Sequence, residues 1–201
     1  MVQALVLTLG AILYRLLYAF AGSPAEWGNF SPMAAVVLCS GAFLSRKAAF
    51  LVPVVALLVS DIILNAHYHV PLLDTRMIPG YFSFGLILLL GLWISKQQSH
   101  KTLLLFGCSI LSSLIFYVLT NTIDWLVDPP FPVPVQHYPI TFAGWAQALT
   151  VGHPGMQPTI LFLRNTLISD LLFTALFVAT QAVCRRSPGH VPESGPQQIR
   201  H

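Results

Sequence analysis

The chain is short of charge: seven residues are acidic and ten are Lys or Arg out of 201, so charged residues make up 8%. A soluble domain needs far more charge to cover its surface, so a soluble fold is excluded. Cysteine is scarce too. Cys39, Cys108 and Cys184 are scattered with no CxxC spacing, which implies neither a zinc site nor a disulfide framework. The N-terminus lacks the basic start of a signal peptide, and Arg15 interrupts its apolar run. Although Ala19-Phe20-Ala21 resembles a cleavage site, a retained first helix is expected. No histidine falls inside a long apolar run, and the aspartates there carry no recognisable protease motif. An intramembrane hydrolase would lack its base, and the chain reads as a non-enzyme with no cofactor.

What the chain has in abundance is apolar sequence, 55% of all residues, in stretches long enough to cross a bilayer. The expected fold is an all-α integral membrane protein. A single domain over 1–186 would hold six transmembrane helices at about 2–21, 31–45, 47–66, 80–95, 102–127 and 161–184. The tail 187–201, rich in Pro, Gly and Gln, is expected to be disordered. Basic residues orient the bundle. With both termini in the cytoplasm, Arg46, Lys47, Lys96, Lys101, Arg185, Arg186 and Arg200 lie inside, against Arg76 and Arg164 outside. The net charge of +3 therefore describes orientation in the membrane and not nucleic-acid binding.

Three charges break the pattern. Arg15, Asp61 and Asp170 fall inside apolar runs, where an ionisable group costs several kcal/mol unless paired or hydrated. Helical spacing puts Thr8, Ala11, Arg15, Tyr18, Ala19 and Gly22 on one face of the first span. In the last span, Asn165, Thr166, Ser169, Asp170, Phe173 and Thr174 share half the wheel, leaving Leu167, Ile168, Leu171, Leu172 and Ala175 for lipid. The fifth span carries Ser109, Ser113, Tyr117, Asn121 and Asp124 as a polar stripe. Asp61 lies roughly 21 Å from Lys47 along its helix, in the outer half. Together Arg15, Asn29, Asp61, Asn65, Asn121, Asp124, Asn165 and Asp170 lie between mid-membrane and the outer surface. They form a candidate pocket open to one side, where a channel would need a polar path through both leaflets.

Other features leave two readings open. Ser31, Ala35 and Cys39 make a small-residue stripe that suits either close packing within the bundle or docking of a partner helix. His67 and His69, with His137 and His153 in the other large loop, are either interfacial histidines or members of an incomplete metal set. The loop after the fifth span opens with Asp128-Pro129-Pro130-Phe131-Pro132-Val133-Pro134, which is expected to be extended, and continues through Phe142-Ala143-Gly144-Trp145. It is long enough to be a lid, and its tryptophan equally suits a membrane anchor. The buried charges themselves either hold a ligand or pair with each other, Arg15 with one aspartate.

Asn29-Phe30-Ser31-Pro32, Leu51-Val52-Pro53 with Ser60-Asp61, Leu119-Thr120-Asn121, and Arg164-Asn165-Thr166-Leu167-Ile168-Ser169-Asp170 resemble a poorly characterised family of proposed bacterial transport proteins. That family is similar to the substrate-binding S components of energy-coupling-factor importers of vitamins and metals. The resemblance covers roughly residues 27–180. It implies capture of a small-molecule substrate outside the cell, followed by association with a transmembrane coupling subunit and ATPase subunits. It also implies a chain without its own nucleotide site, and no glycine-rich phosphate loop is present. The chain departs from S components in having no Ala-x-x-x-Ala patch on its first helix. The alternative reading is a structural scaffold of an envelope complex, in which the same charges serve packing.

Overall fold

In hydrocarbon a backbone must satisfy its own polar groups, and long apolar runs do so as helices. The computed structural model describes residues 2–22, 25–69, 71, 77–127 and 138–186. Among these the regular structure is helical: α1 (Val2–Phe20), α2 (Met33–Phe43), α3 (Arg46–His67), α4 (Ile78–Ser95), α5 (Lys101–Val127), α6 (Phe142–Leu149) and α7 (Ile160–Arg186), with a 3-10 turn at Ala25–Trp27. Four stretches, Arg46–His67, Ile78–Ser95, Lys101–Val127 and Ile160–Val183, are long and apolar enough to cross a membrane. The protein is therefore a multi-pass membrane protein. The Pro-rich segment 128–134, Arg76, His137 and the tail 187–201 lie outside the described residues.

The expected segments at 2–21, 47–66, 80–95, 102–127 and 161–184 match α1, α3, α4, α5 and α7 to within two residues at each end. The stretch 31–45 differs. Only Met33–Phe43 is helical, 11 residues or about 16 Å, roughly half the thickness of a bilayer's hydrocarbon. Every residue from Met33 to Ala42 is buried. A helix that is apolar on all sides belongs in a core, and α3, α4, α5 and α7 all pack on this one. Two residues, Leu44 and Ser45, link it to α3, which runs unbroken through Pro53.

The tightest contact in the bundle is between α2 and α4. A Cβ on Gly91 would lie 2.3 Å from the Leu38 carbonyl oxygen, and one on Gly41 would lie 2.9 Å from the Gly91 backbone. Close backbone approach of this kind is how helices associate in lipid, where packing replaces water exclusion as the driving force. The Ser45 end of the bundle carries Arg46, Lys47, Lys96 and Lys101 and is called the basic end below. The opposite end is covered by the 3-10 turn and α6 and is called the capped end.

The close approach gives a direct expectation. Gly91→Ala should destabilise the detergent-solubilised protein by about 1–3 kcal/mol through overpacking. Gly107→Ala, where a Cβ meets nothing within 4 Å, should leave it unchanged or raise it by up to about 1 kcal/mol through helix propensity. Thermal melts of both variants check this, and equal stability would refute the close-packing account.

Candidate functional site

Most of the polar residues in the middle of α7 face inward, and α1 turns leucines outward. On α1, Ala11 is buried while Leu9, Leu13 and Leu17 are exposed; on α7, Asn165, Thr166, Ser169, Asp170 and Thr174 are buried while Ile168 and Leu172 are exposed. These are the faces the helical spacing predicts. They produce two polar clusters at different places in the bundle.

The first cluster joins α1, α3 and α4. Arg15 pairs with Asp61 at 2.8 Å and also donates to the Ser60 hydroxyl. Ser60 in turn donates to the Ala56 carbonyl, and Tyr81 donates to the other Asp61 oxygen at 2.6 Å. Both carboxylate oxygens are thus engaged, which offsets the cost of burying the charge. The pair is not sealed, because the Arg15 and Asp61 side chains keep 21% and 10% of their exposure.

The second cluster joins α2, α5 and α7. Asp170, 1% exposed, accepts from the Ser113 hydroxyl at 2.6 Å and lies beside the backbone N–H of Ala35 in the first turn of α2. Thr174 donates to Ser109 one turn deeper. A carboxylate at a helix N-terminus is favoured by the free N–H groups and the aligned peptide dipoles. The other end of α2 is matched as well, since the Lys101 ammonium donates to the Ala42 carbonyl at 2.7 Å.

Between the clusters, in the capped-end half of the bundle, lies a chamber of about 380 Å³. Its walls include Arg15, Asn29, Asp61 and Asp170, together with Tyr14, Tyr18, Phe30, Tyr81, Phe84 and Phe116. The volume falls in the range that accommodates small-molecule ligands. The first residues of α2, Ser31, Met33 and Ala34, also line it, so the N-terminal end of the short helix forms its floor.

A family model described as a family of unknown function (DUF6580) matches residues 1–192. The chain belongs to DUF6580. No curated protein and no solved structure matches it.

In this DUF6580 chain the other four candidate residues lie away from the chamber wall. Asn165 is fully buried and donates to the carbonyls of Glu26 and Gly28 at 2.8 and 2.9 Å, pinning the 3-10 turn to α7. Its own amide oxygen accepts from Arg164, whose guanidinium also stacks over Trp27. Asn65 donates to the Pro71 carbonyl, and Asn121 to Tyr117 of its own helix. Asp124 sits near the capped end of α5, where burial first and then the Asp124 charge raise the Tyr138 phenol above its usual range. Asn29 is at the rim in a left-handed conformation, φ 64°, which asparagine tolerates better than most residues.

The small-residue stripe requires a correction. Ala35 and Cys39 are 3% and 0% exposed, so Ser31, Ala35 and Cys39 do not form a docking surface for another subunit. The stripe packs inside, where Ala35 meets Asp170. Two of the histidines are engaged in packing: His67 stacks edge-on against Phe20 and Tyr68, and His153 stacks on Tyr138 at 4.0 Å. Among the described residues no three His, Cys, Asp or Glu side chains gather as a metal set would.

Phe142-Ala143-Gly144-Trp145 begins α6, capped by the Thr141 hydroxyl, which accepts from Gly144 N–H at 3.1 Å. The Trp145 indole donates to Thr122 at 2.9 Å and Tyr117 donates to the Leu149 carbonyl, fixing α6 on the capped end of α5. Phe142 remains 78% exposed, in keeping with contact with the membrane surface. Sequence reasoning missed the aromatic part of the chamber, Tyr81 above all. Its only signal was the i, i+3 spacing of Tyr81 and Phe84 on a helix that is otherwise apolar all round.

The first cluster predicts a coupled pair. Arg15→Leu and Asp61→Leu should each cost about 2–3 kcal/mol, at the low end for orphaning one member of a buried pair because Arg15 retains some solvent. The double variant should cost clearly less than their sum. Thermal melts of the four proteins in one detergent give the coupling, and additive losses would show that the pair contributes nothing. In the second cluster, Asp170→Ala should cost about 2–3 kcal/mol by leaving the Ser113 hydroxyl without its buried acceptor and removing the acidic group beside the α2 N-terminus, read in the same melts.

Proposed function

We propose that this protein captures a small molecule from the outer side of a bacterial inner membrane and serves as the substrate-binding subunit of an uptake system. The observation that carries this reading is the chamber of about 380 Å³ in which a partly exposed Arg15–Asp61 pair faces a wall of aromatic rings. Six crossings with both termini in the cytoplasm give the orientation, since seven basic residues then lie inside against two outside. In that orientation the basic end faces the cytoplasm and the chamber opens toward the outside. Groups of both charges beside aromatic faces suit a zwitterionic or vitamin-like molecule. The chain has no nucleotide loop of its own, so uptake would draw on a separate coupling subunit and ATPases, as the resemblance to energy-coupling-factor S components implies.

A structural scaffold of an envelope complex is the second reading. It is favoured by one observation: Asp61 and Asp170 both bond to groups of the protein itself.

Native mass spectrometry of gently extracted full-length protein separates the two. Capture predicts a retained small molecule in the wild type that is lost from the Arg15→Leu/Asp61→Leu double variant, together with co-purifying ATPase subunits. Empty wild-type protein accompanied by envelope-building enzymes would reverse the assignment.

A further inference from the structure

The chamber does not end at its polar wall. Leu57, Tyr81 and Phe84 belong both to it and to a second cavity of about 250 Å³ formed by Val37, Phe50, Pro53, Val54, Leu58, Gly85 and Leu88. The two cavities follow one seam. On α3 the chamber takes Leu57, Asp61, Leu64 and Tyr68 toward the capped end, and the cleft takes Phe50, Pro53, Val54, Leu57 and Leu58 toward the basic end. On α4 the order is the same, from Gly80, Tyr81 and Phe84 to Gly85 and Leu88. Both helices pack on α2 but scarcely on each other, so the seam is a cleft floored by Val37. Apart from the Tyr81 hydroxyl, which is turned to Asp61, every side chain lining the cleft is a hydrocarbon. Its mouth is on the lipid-facing side, where Phe50 and Leu58 are 58% and 44% exposed.

A water-soluble substrate would use the chamber and leave the cleft unexplained. The shared walls instead join a site for polar groups to a hydrocarbon slot that opens sideways into the bilayer. We infer that the ligand is an amphiphile, with a head bearing both signs of charge held at Arg15 and Asp61 and a hydrocarbon chain lying between α3 and α4. It enters laterally from the membrane. The head exchanges with the partly exposed ion pair, Arg15 taking its anionic group and Asp61 its cationic group, while the Tyr81 hydroxyl stays at the junction. The chain gains by filling a slot whose walls otherwise lack contact partners. This inference rests on the capture reading and narrows its substrate class.

Gly85 provides the test. A Cβ there meets nothing within 4 Å and the residue lines the cleft, so a larger side chain starts from open space beside it. The probe is a lysophosphatidylethanolamine whose palmitoyl chain carries a photoreactive diazirine, added to the full-length protein in phosphatidylcholine nanodiscs. Saturable labelling is expected on the α3 and α4 peptides that contain Phe50 and Leu88. Gly85→Phe should lower it about tenfold, corresponding to about 1.4 kcal/mol of affinity, with an unchanged melting temperature. Gly107→Ala on α5, away from the cleft, should label as the wild type does, and the exposed Leu103 on α5 should show only the unsaturable background of bulk lipid.

Glycerophosphoethanolamine, the same head without a chain, should compete weakly. If it competes as well as unlabelled lysophosphatidylethanolamine, the chain has no role and the amphiphile is excluded, while capture of a soluble molecule stands. If labelling is uniform over the lipid-facing helices and insensitive to Gly85→Phe, the cleft is ordinary lipid-facing surface and this inference fails. The capture reading is decided separately by whether native mass spectrometry of the wild type finds a retained molecule.

Discussion

A helix whose ends are inside the protein must find partners for its terminal N–H and C=O groups without help from water. That constraint falls on α2, which is 11 residues long and buried almost throughout. Its first turn lies against the Asp170 carboxyl group, and its last turn offers the Ala42 carbonyl to Lys101. The charges have the signs that the aligned peptide dipoles favour at each end. Asp170 is in turn held by Ser113, so α2, α5 and α7 are joined through one carboxylate. Two of the ionisable groups in or beside apolar sequence are thereby accounted for as the terminal partners of a helix in the core.

The other two behave differently. Arg15 and Asp61 link α1 to α3, and Tyr81 brings in α4. This tie lies along the wall of a chamber and keeps some exposure. A fully closed pair is best explained by packing. A pair that keeps part of each side chain exposed to a cavity can exchange partners, because a ligand offering the same charges replaces the lost contacts. The distinction between the two clusters is thus one of access: Asp170 is committed to α2, whereas Arg15 and Asp61 remain available.

Much of this was legible in the sequence, and the reason is periodicity. The inward faces of α1 and α7 follow from polar residues recurring at helical spacing against a Leu and Ile background, and Arg15, Asp61 and Asp170 announce themselves by their cost in lipid. The sequence was silent where periodicity is absent. Being apolar all round, α2 shows no face, so neither its burial nor the inward direction of Ala35 and Cys39 could be read. Four Ala and Gly residues within it suit a partner helix as well as a neighbouring one. Which aspartate pairs with Arg15 depends on how α1 crosses α3, a property of tertiary packing and not of local spacing. Asn165 looked like a pocket residue because a buried amide seldom occurs without a polar duty. Its duty proved to be holding the turn before α2.

The length of α2 also explains why a chamber exists. Its C-terminus is tied to Lys101 at the basic end, and about 16 Å of helix brings its N-terminus only to mid-depth. The surrounding helices α3, α4, α5 and α7 continue for the full thickness of the bilayer. Above the start of α2 they therefore enclose a space with no central helix to fill it. Tyr14, Tyr18, Phe30 and Phe116 occupy part of that space, Asn29 and the 3-10 turn cover its edge, and the remainder is the chamber. Its polarity follows from the same geometry. The floor must satisfy the α2 N-terminus, which draws in Asp170, and the wall has room for an ion pair because no core helix presses against it. Lengthening α2 by two turns would fill the cavity and bury Arg15 and Asp61 completely, so the one-sided site and the short central helix are a single structural feature.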